Sequence, residues 1–294
     1  MVIGLKINII NACSDLGVNI DGADIGPLII SKNLDSNKIN NTVNVLKSNI
    51  KKSKDVNDLK KNLKEVNEVN RQVFNEVSNT IKGNLFPITI GGDHSIAIGS
   101  ALASIKENRN LGIIWIDAHL DYNTFDTTIT GNLHGLPLAA IDGLCPDLTN
   151  FFDGNYYNPN NTVVVGYRAK ETNAEIEVNN VKNAGAHIFT DEDINKYGIE
   201  EVMKKAIEIA SNGTNGIHIS YDLDVIDPDI APGVSIPAAN GISLKEAYDF
   251  VNYIVNNKGK IKSIDLVEFN PLKDKANSTK KIAENILNKL IKDL

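Results

Sequence analysis

Apolar residues follow two alternating patterns along this chain, continuous runs and segments in which they recur every three or four positions. Near-continuous runs such as Gly112–Ile116 predict strands covered on both faces, which is typical of a parallel sheet. The runs that predict strands are residues 5–12, 41–46, 86–90, 111–116, 162–166, 186–189, 216–221 and 261–269.

The segments with three- and four-residue spacing predict amphipathic helices. The clearest apolar stripe runs from Val56 to Ile81, and Gly83 supplies a stop signal after it. Ser243 and Glu246 form a capping-box pattern at the start of another helix. The helices predicted in this way are residues 56–81, 96–107, 199–211, 244–256 and 279–291. Strands and helices alternate over residues 1–294, which predicts a single, doubly wound α/β domain.

Composition narrows the class of protein without identifying it. The 294 residues carry a formal net charge of −7, which argues against nucleic acid or an anionic membrane as the main partner. No apolar run approaches the ~20 residues that a membrane span needs, so we expect a cytoplasmic protein. Cys13 and Cys145 provide neither metal-ligand spacing nor a disulfide framework.

Three short motifs rich in aspartate and histidine carry the candidate chemistry. Each follows a predicted strand, and the carboxyl ends of parallel strands lie at one edge of a sheet, where ligands bind. The motifs are residues 91–95 (GGDHS), 117–121 (DAHLD) and 220–228 (SYDLDVIDP). Together they offer four carboxylates and two imidazoles as metal ligands, namely His94, Asp117, His119, Asp121, Asp222 and Asp224.

This ligand set indicates a hydrolase with two metal ions. Six ligands exceed the need of one small cation, and carboxylates with some imidazole suit Mn²⁺. We expect the period-two pleat to turn Asp117, His119 and Asp121 toward one centre, and Asp222 and Asp224 likewise. A carboxylate such as Asp117 or Asp222 can bridge two ions at the ~3.5–4 Å of two-metal sites, where shared water becomes hydroxide near neutral pH.

These motifs resemble those of the ureohydrolase family, which includes arginases and agmatinases. The resemblance covers nearly the whole chain, from residues 15–17 (DLG) and 22–27 (GADIGP) through 131–135 (GNLHG) to 268–271 (EFNP). The first three of these segments resemble the arginase branch more than the agmatinase branch. The resemblance implies a three-layer α-β-α fold with a central, mainly parallel, eight-stranded sheet. It also implies a homotrimer or homohexamer.

The family pattern, carried over residue by residue, implies two Mn²⁺ ions per subunit. One ion would be bound by His94, Asp117, Asp121 and Asp222, and the other by Asp117, His119, Asp222 and Asp224. His134 matches the family's proton-transfer histidine, and Asp121 is expected to act as a proton relay. Glu268 matches the glutamate that pairs with the substrate guanidinium, a contact that can be bidentate. We expect His218, inside a predicted strand, to have a supporting or core role.

The substrate implied is a small cationic guanidino compound, with L-arginine favoured. Asn123 and Thr130 match positions at which arginases hold the substrate α-carboxylate, which agmatine lacks. Glu171 stands where arginases carry an aspartate for the amino group, and Ala174 where they carry a glutamate, which adjacent Glu175 could replace. Ile236 stands where a threonine is usual, a feature that resembles formiminoglutamate hydrolases.

Other functions remain open at this point. Within the same chemistry, the alternatives are an agmatinase, a formiminoglutamate hydrolase or a hydrolase of another guanidino compound. A metal-binding but inactive subunit is a different class, and the presence of His134 and Glu268 beside a full ligand set argues against it. A zinc deacetylase, whose related sheet pairs adjacent active-site histidines, is disfavoured because no His-His pair occurs.

Overall fold

Eight parallel strands form the centre of the molecule. A computed structural model describes residues 5–34, 37–47, 51–169 and 174–294. The strands are β1 (Ile7–Cys13), β2 (Ile39–Leu46), β3 (Phe86–Gly91), β4 (Gly112–Ile116), β5 (Thr162–Tyr167), β6 (His187–Thr190), β7 (Ile217–Asp222) and β8 (Ile261–Val267). Their order across the sheet is β2-β1-β3-β8-β7-β4-β5-β6.

The register of the four middle strands aligns their carboxyl ends. Ile90 of β3 pairs with Leu266 of β8, Leu266 with Tyr221 of β7, and Tyr221 with Ile116 of β4. Because all four strands run in the same direction, the residues that follow them leave the sheet along one line. All three metal-ligand motifs and Glu268 therefore start at the same edge.

Helices cover both faces of the sheet. Those of the described residues are α1 (Gly26–Ser31), α2 (Leu63–Lys82), α3 (Ala97–Asn108), α4 (Pro137–Ile141), α5 (Ala174–Ala184), α6 (Asp191–Tyr197), α7 (Ile199–Ser211), α8 (Leu244–Asn256) and α9 (Ser278–Asp293). Alternate strand residues face opposite layers: Ile114 and Ile116 pack with α7, α8 and α9, whereas Ile113 and Trp115 pack with α2, α3 and α4. None of these helices combines the length and the apolar character that crossing a bilayer requires.

The structure confirms the predicted fold class, the eight strands and most of the longer helices. Every predicted strand is present, with ends that agree to within two residues. The capping box is also present, since the Ser243 side chain accepts from the Glu246 N–H and the Glu246 carboxylate accepts from the Ser243 N–H.

The predicted start of the first long helix is wrong. The helix begins at Leu63, not at Val56, and residues 51–62 form turns and irregular backbone. Val56 and Leu59 match the apolar spacing, yet their side chains are 65% and 37% exposed. The apolar stripe therefore extends in sequence beyond the helix that buries it.

Candidate metal centre

The backbone leaves the sheet in tight turns at the three motifs. Asp93 precedes a short 3-10 turn, and its carboxylate accepts from the Ser95 and Gly17 N–H groups at 2.9 Å. Asp222 is the last residue of β7, and its carboxylate accepts from the Asp224 N–H at 2.7 Å. Carboxylates that cap the turn directly after a strand fix the direction in which the next side chain points.

The expected pleat is wrong for both double-aspartate motifs. β4 ends at Ile116, so residues 117–121 are not strand, and Asp121 has a φ of 51°. Asp224 lies in a 3-10 turn and not in an extension of β7. The side chains still converge, because the turns, and not a two-residue alternation, direct them inward.

The first group of candidate ligands surrounds the His94 ring. Its Nδ1 lies 3.0 Å from Asp117 Oδ2, 3.1 Å from Asp121 Oδ2 and 3.1 Å from Asp222 Oδ2. The other ring nitrogen, Nε2, lies 2.8 Å from Ser220 Oγ. Nδ1 is buried without a hydrogen bond of acceptable geometry to a described residue. A ring nitrogen and three carboxylate oxygens facing one point fit a shared cation.

The second group shares Asp117 with the first. His119 Nδ1 lies 2.8 Å from Asp224 Oδ2 and 3.5 Å from Asp117 Oδ1, and these three residues could hold one ion. Asp222 lies in the first group, where its Oδ2 faces His94, and its Oδ1 accepts from the Asp224 N–H. Its bridging role stays a prediction, whereas Asp117 offers one oxygen to each group.

The electrostatics of this centre favour a cation. All four aspartates are buried, and buried carboxylates need paired charge or metal. Burial raises the pKa of Asp222 well above its usual value, and Asp224 and Asp117 raise it further. Burial and the Asp117 charge raise the pKa of Asp121 to about 7. Both shifts arise first from burial and then from neighbouring negative charge, and bound divalent ions would offset both effects.

His134 and Glu268 meet beside the first group. Glu268 Oε1 accepts from the His94 N–H at 2.8 Å and lies 3.0 Å from His134 Nδ1, while Oε2 is buried without a hydrogen bond to a described residue. Burial lowers the pKa of His134, but donation of its ring N–H to the Glu268 carboxylate outweighs this and raises the pKa to about 9. Glu268, like Asp121, has a positive φ, 68°. Non-glycine residues in this region store strain and cluster at functional sites.

A cavity opens beside His119 and Asp121. The predicted substrate residues Asn123, Thr130 and Ile236 line it together with His134. The full lining is His119, Leu120, Asp121, Asn123, Thr128, Thr130, Asn132, His134, Gly135, Tyr167, Ala169, Glu177 and Ile236. Three of the predicted substrate residues, Asn123, Thr130 and Ile236, thus lie beside the candidate ligands. Glu171 lies outside the described residues.

Glu177 is the cavity residue that the sequence analysis missed. It lies in α5, is 7% exposed, and its Oε1 accepts from the Tyr122 N–H at 2.8 Å. Glu175, the predicted replacement for a missing glutamate, is exposed and does not line the cavity. The apolar pattern does not predict α5. Without a helix there, the sequence gives no reason to place Glu175 and Glu177, two residues apart, on opposite faces.

His218 has the core role expected of it. Its Nδ1 lies 2.6 Å from Ser263 Oγ and its Nε2 lies 3.0 Å from Asp265 Oδ2, so both ring nitrogens are occupied. The residue is completely buried between β7 and its neighbours. It is not available as a ligand in this arrangement.

Comparison with known proteins is consistent with this geometry. Residues 5–292 match the family model described as the arginase family. An arginase from Staphylococcus aureus is 36% identical over 291 residues, which cover 96% of this chain and 95% of that protein. The solved structure of an arginase from Bacillus caldovelox is 31% identical, with a TM-score of 0.89 and 98% of each chain covered. An Entamoeba histolytica arginase, solved in complex with L-ornithine, is 29% identical with a TM-score of 0.86, covering 97% of this chain and 98% of that one.

Proposed function

The chain belongs to the arginase family, and from that premise we propose that it is a binuclear manganese hydrolase converting L-arginine to L-ornithine and urea. One observation carries the proposal. Two groups of carboxylate and imidazole side chains share Asp117, and His119 and Asp121 of these groups also line the adjoining cavity. The reaction is inferred from the family, and the mixture of carboxylate and imidazole ligands supports Mn²⁺ as the metal.

The six predicted ligands would hold the two ions. When bound, two Mn²⁺ ions lower the pKa of water and stabilise negative charge on the reacting group. The chain's own residues provide the remaining tasks. Asp121 lies at the mouth of the centre, between His94 and the cavity, where it can accept and pass on a proton. His134 lines the cavity and can donate the proton that the departing amine needs.

Glu268 is suited to orient a guanidinium. Its free buried Oε2 is an acceptor that needs a donor, and a planar guanidinium supplies paired N–H groups. The hydrogen bond from the His94 backbone holds the carboxylate at a fixed distance from the first ligand group. A substrate held there would present its central carbon to the metal centre.

The cavity favours arginine over the alternatives. Asn123 and Thr130 offer neutral donors for an α-carboxylate, and the buried carboxylate of Glu177 suits an α-ammonium group. Formiminoglutamate carries two carboxylates, and the described lining contains no lysine or arginine to receive the second. Ile236 leaves one side of the cavity apolar, which the methylene chain of arginine can contact.

Parallel assays with Mn²⁺-reconstituted protein test this proposal. We expect urea from L-arginine, with kcat/KM at least tenfold above that for agmatine or guanidinobutyrate, because a rim built for a polar group discriminates against substrates that lack it. Protein treated with a chelator is the control and should be inactive. Formamide from formiminoglutamate, or a preference for agmatine, would contradict the assignment.

Two further properties stay predictions. We propose a homotrimer or homohexamer as the assembly. We also propose a cytoplasmic location, as the metabolic use of a free amino acid suggests.

A further inference from the structure

Lys61 is a buried lysine directly behind the rim of the cavity. It is 3% exposed, whereas Lys64, three residues later, is exposed to solvent. Its ammonium donates a hydrogen bond to the backbone carbonyl of Thr130. A Cβ atom added at Gly131 would lie 2.9 Å from Lys61 Nζ, so the ammonium also packs against the next residue of the rim.

The segment that carries Lys61 is held against the body of the protein. Asn62 has a φ of 60°, and its side chain donates to the carbonyls of Leu16 and Ser53 and accepts from the Ser53 N–H. The Lys61 N–H donates to the Asp58 carbonyl. Residues 51–62 are therefore packed against the rest of the protein, and the Lys61 side chain links this segment to residues 128–132 of the cavity rim.

The rim of the cavity at residues 128–132 consists of consecutive turns. Thr128 Oγ1 accepts from the Gly131 N–H at 3.1 Å, and Thr130 Oγ1 accepts from the Asn132 N–H at 3.2 Å. Gly131 has a φ of 62°, which glycine adopts at little cost. Thr128, Thr130 and Asn132 line the cavity, whereas Lys61 does not. The Thr130 carbonyl that bonds to Lys61 is therefore directed away from the substrate side.

The charge of Lys61 is placed where a substrate carboxylate would gain from it. A buried ammonium is normally paired with a carboxylate, but the partner of Lys61 is a neutral carbonyl. Burial lowers its pKa, while Asp58 and Asp55 favour the cation. A cation directly behind a rim of neutral polar groups raises the local potential for an anion, and the low dielectric of the interior reduces screening.

We propose that Lys61 is a positioning and specificity-determining residue, which holds the 128–132 rim in place and selects guanidino substrates that carry an α-carboxylate. This inference rests on the proposed function. It assigns the carboxylate preference to a side chain outside the cavity, in addition to Asn123 and Thr130 inside it.

The Lys61→Met variant tests the proposal against a matched control, Lys64→Met, on the exposed face at the start of α2. We expect KM for L-arginine to rise about tenfold, because the substrate carboxylate loses contact with a displaced rim and loses a nearby positive charge, with kcat within about twofold. The inhibition constant of agmatine against arginine hydrolysis should stay within about twofold. Equal weakening of arginine and agmatine, or an unchanged arginine KM, would overturn the specificity role.

Hydrogen exchange of residues 128–132 separates this inference from the proposed function. We expect faster exchange in Lys61→Met than in the wild type and in Lys64→Met, with or without turnover on any substrate. If the wild type hydrolyses no arginine, the proposed function fails, and equal exchange in all three proteins would overturn the positioning role separately.

A second variant covers the case in which Lys61→Met does not fold. Gly131→Ala places a methyl group against Lys61 Nζ and the backbone of residues 58–59, so it disturbs the same contact from the rim side. It should raise the arginine KM selectively. Unchanged arginine KM in Gly131→Ala would count against the proposal.

Discussion

Trp115 connects two candidate ligands through different parts of its ring. The indole stacks on His94 with centroids 3.9 Å apart and planes inclined by 9°, and its Nε1–H donates to Asp117 Oδ2 at 2.9 Å. Ser220 contacts the opposite ring nitrogen of His94. The position of His94 is thus fixed by packing and by a hydrogen bond, before any ion is bound.

Replacing Trp115 by Phe should weaken metal binding without removing a ligand. We expect Mn²⁺ affinity to fall about 10–100-fold, the usual cost of losing a group that orients metal ligands. Equilibrium dialysis with metal analysis measures this directly. Tyr157→Phe is the control, since Tyr157 packs in the same core and its hydroxyl bonds to the Ala101 carbonyl, away from the ligands. Equal affinities in the wild type and Trp115→Phe would show that the indole has no such role.

At the residue scale, the sequence was informative where chemistry is concentrated in motifs. The Asp and His residues of the three motifs could be identified because so many metal-ligand side chains seldom follow strands by chance. Glu177 and Lys61 could not be identified from the sequence, because neither belongs to a motif. Their roles depend on contacts with residues distant in sequence, Tyr122 and Thr130 respectively. The left-handed backbone conformation of Asp121 and Glu268 could not be predicted either, since neither residue type requires it.

At the scale of elements, α2 and α3 approach closely at Gly99. The Gly99 N–H donates to Asn70 Oδ1 at 2.7 Å, and the Asn70 amide donates to the Val66 and Ser95 carbonyls. A Cβ atom at Gly99 would lie 2.4 Å from the Asn70 carbonyl oxygen. Because α3 follows the His94 turn directly, this contact fixes the turn relative to the opposite helix.

Gly99→Ala should therefore destabilise the protein. We expect the free energy of unfolding to fall by about 1–3 kcal/mol, the range for overpacking against atoms that cannot move freely. Gly259→Ala is the matched control, because a Cβ there would meet nothing within 4 Å. Denaturant unfolding of both variants gives the comparison, and equal stability of the two would refute a close-packing role.

Periodicity predicts the five longest helices of the described residues but misses α5, with 11 residues, and the shorter ones. α1, α4 and α6 span six, five and seven residues, too few for an apolar stripe to repeat. The error at Val56 has the opposite cause. Its spacing continues that of α2, but Asn62 has a left-handed backbone that interrupts a helix, and Lys61 and Asn62 bond to the Thr130 and Leu16 carbonyls instead.

At the scale of the whole molecule, strand order decides which motifs meet. β3, β8, β7 and β4 are adjacent although they are far apart in sequence, so motifs from residues 91–95 and 220–228 reach one centre. Hydrophobic pattern predicts that strands exist but contains no information on their order or register. The family resemblance predicts the three-layer architecture. The aligned carboxyl ends of the four strands give the physical reason why the motifs meet.

The number of Mn²⁺ ions bound per chain distinguishes a centre of two ions from a single site. The two ligand groups overlap at Asp117, with His94 exclusive to the first and His119 exclusive to the second. After dialysis against Mn²⁺ and removal of free metal, elemental analysis should give about two ions in the wild type and about one in His94→Asn and in His119→Asn. A wild-type value of one or none, or two ions retained by either variant, would contradict the account.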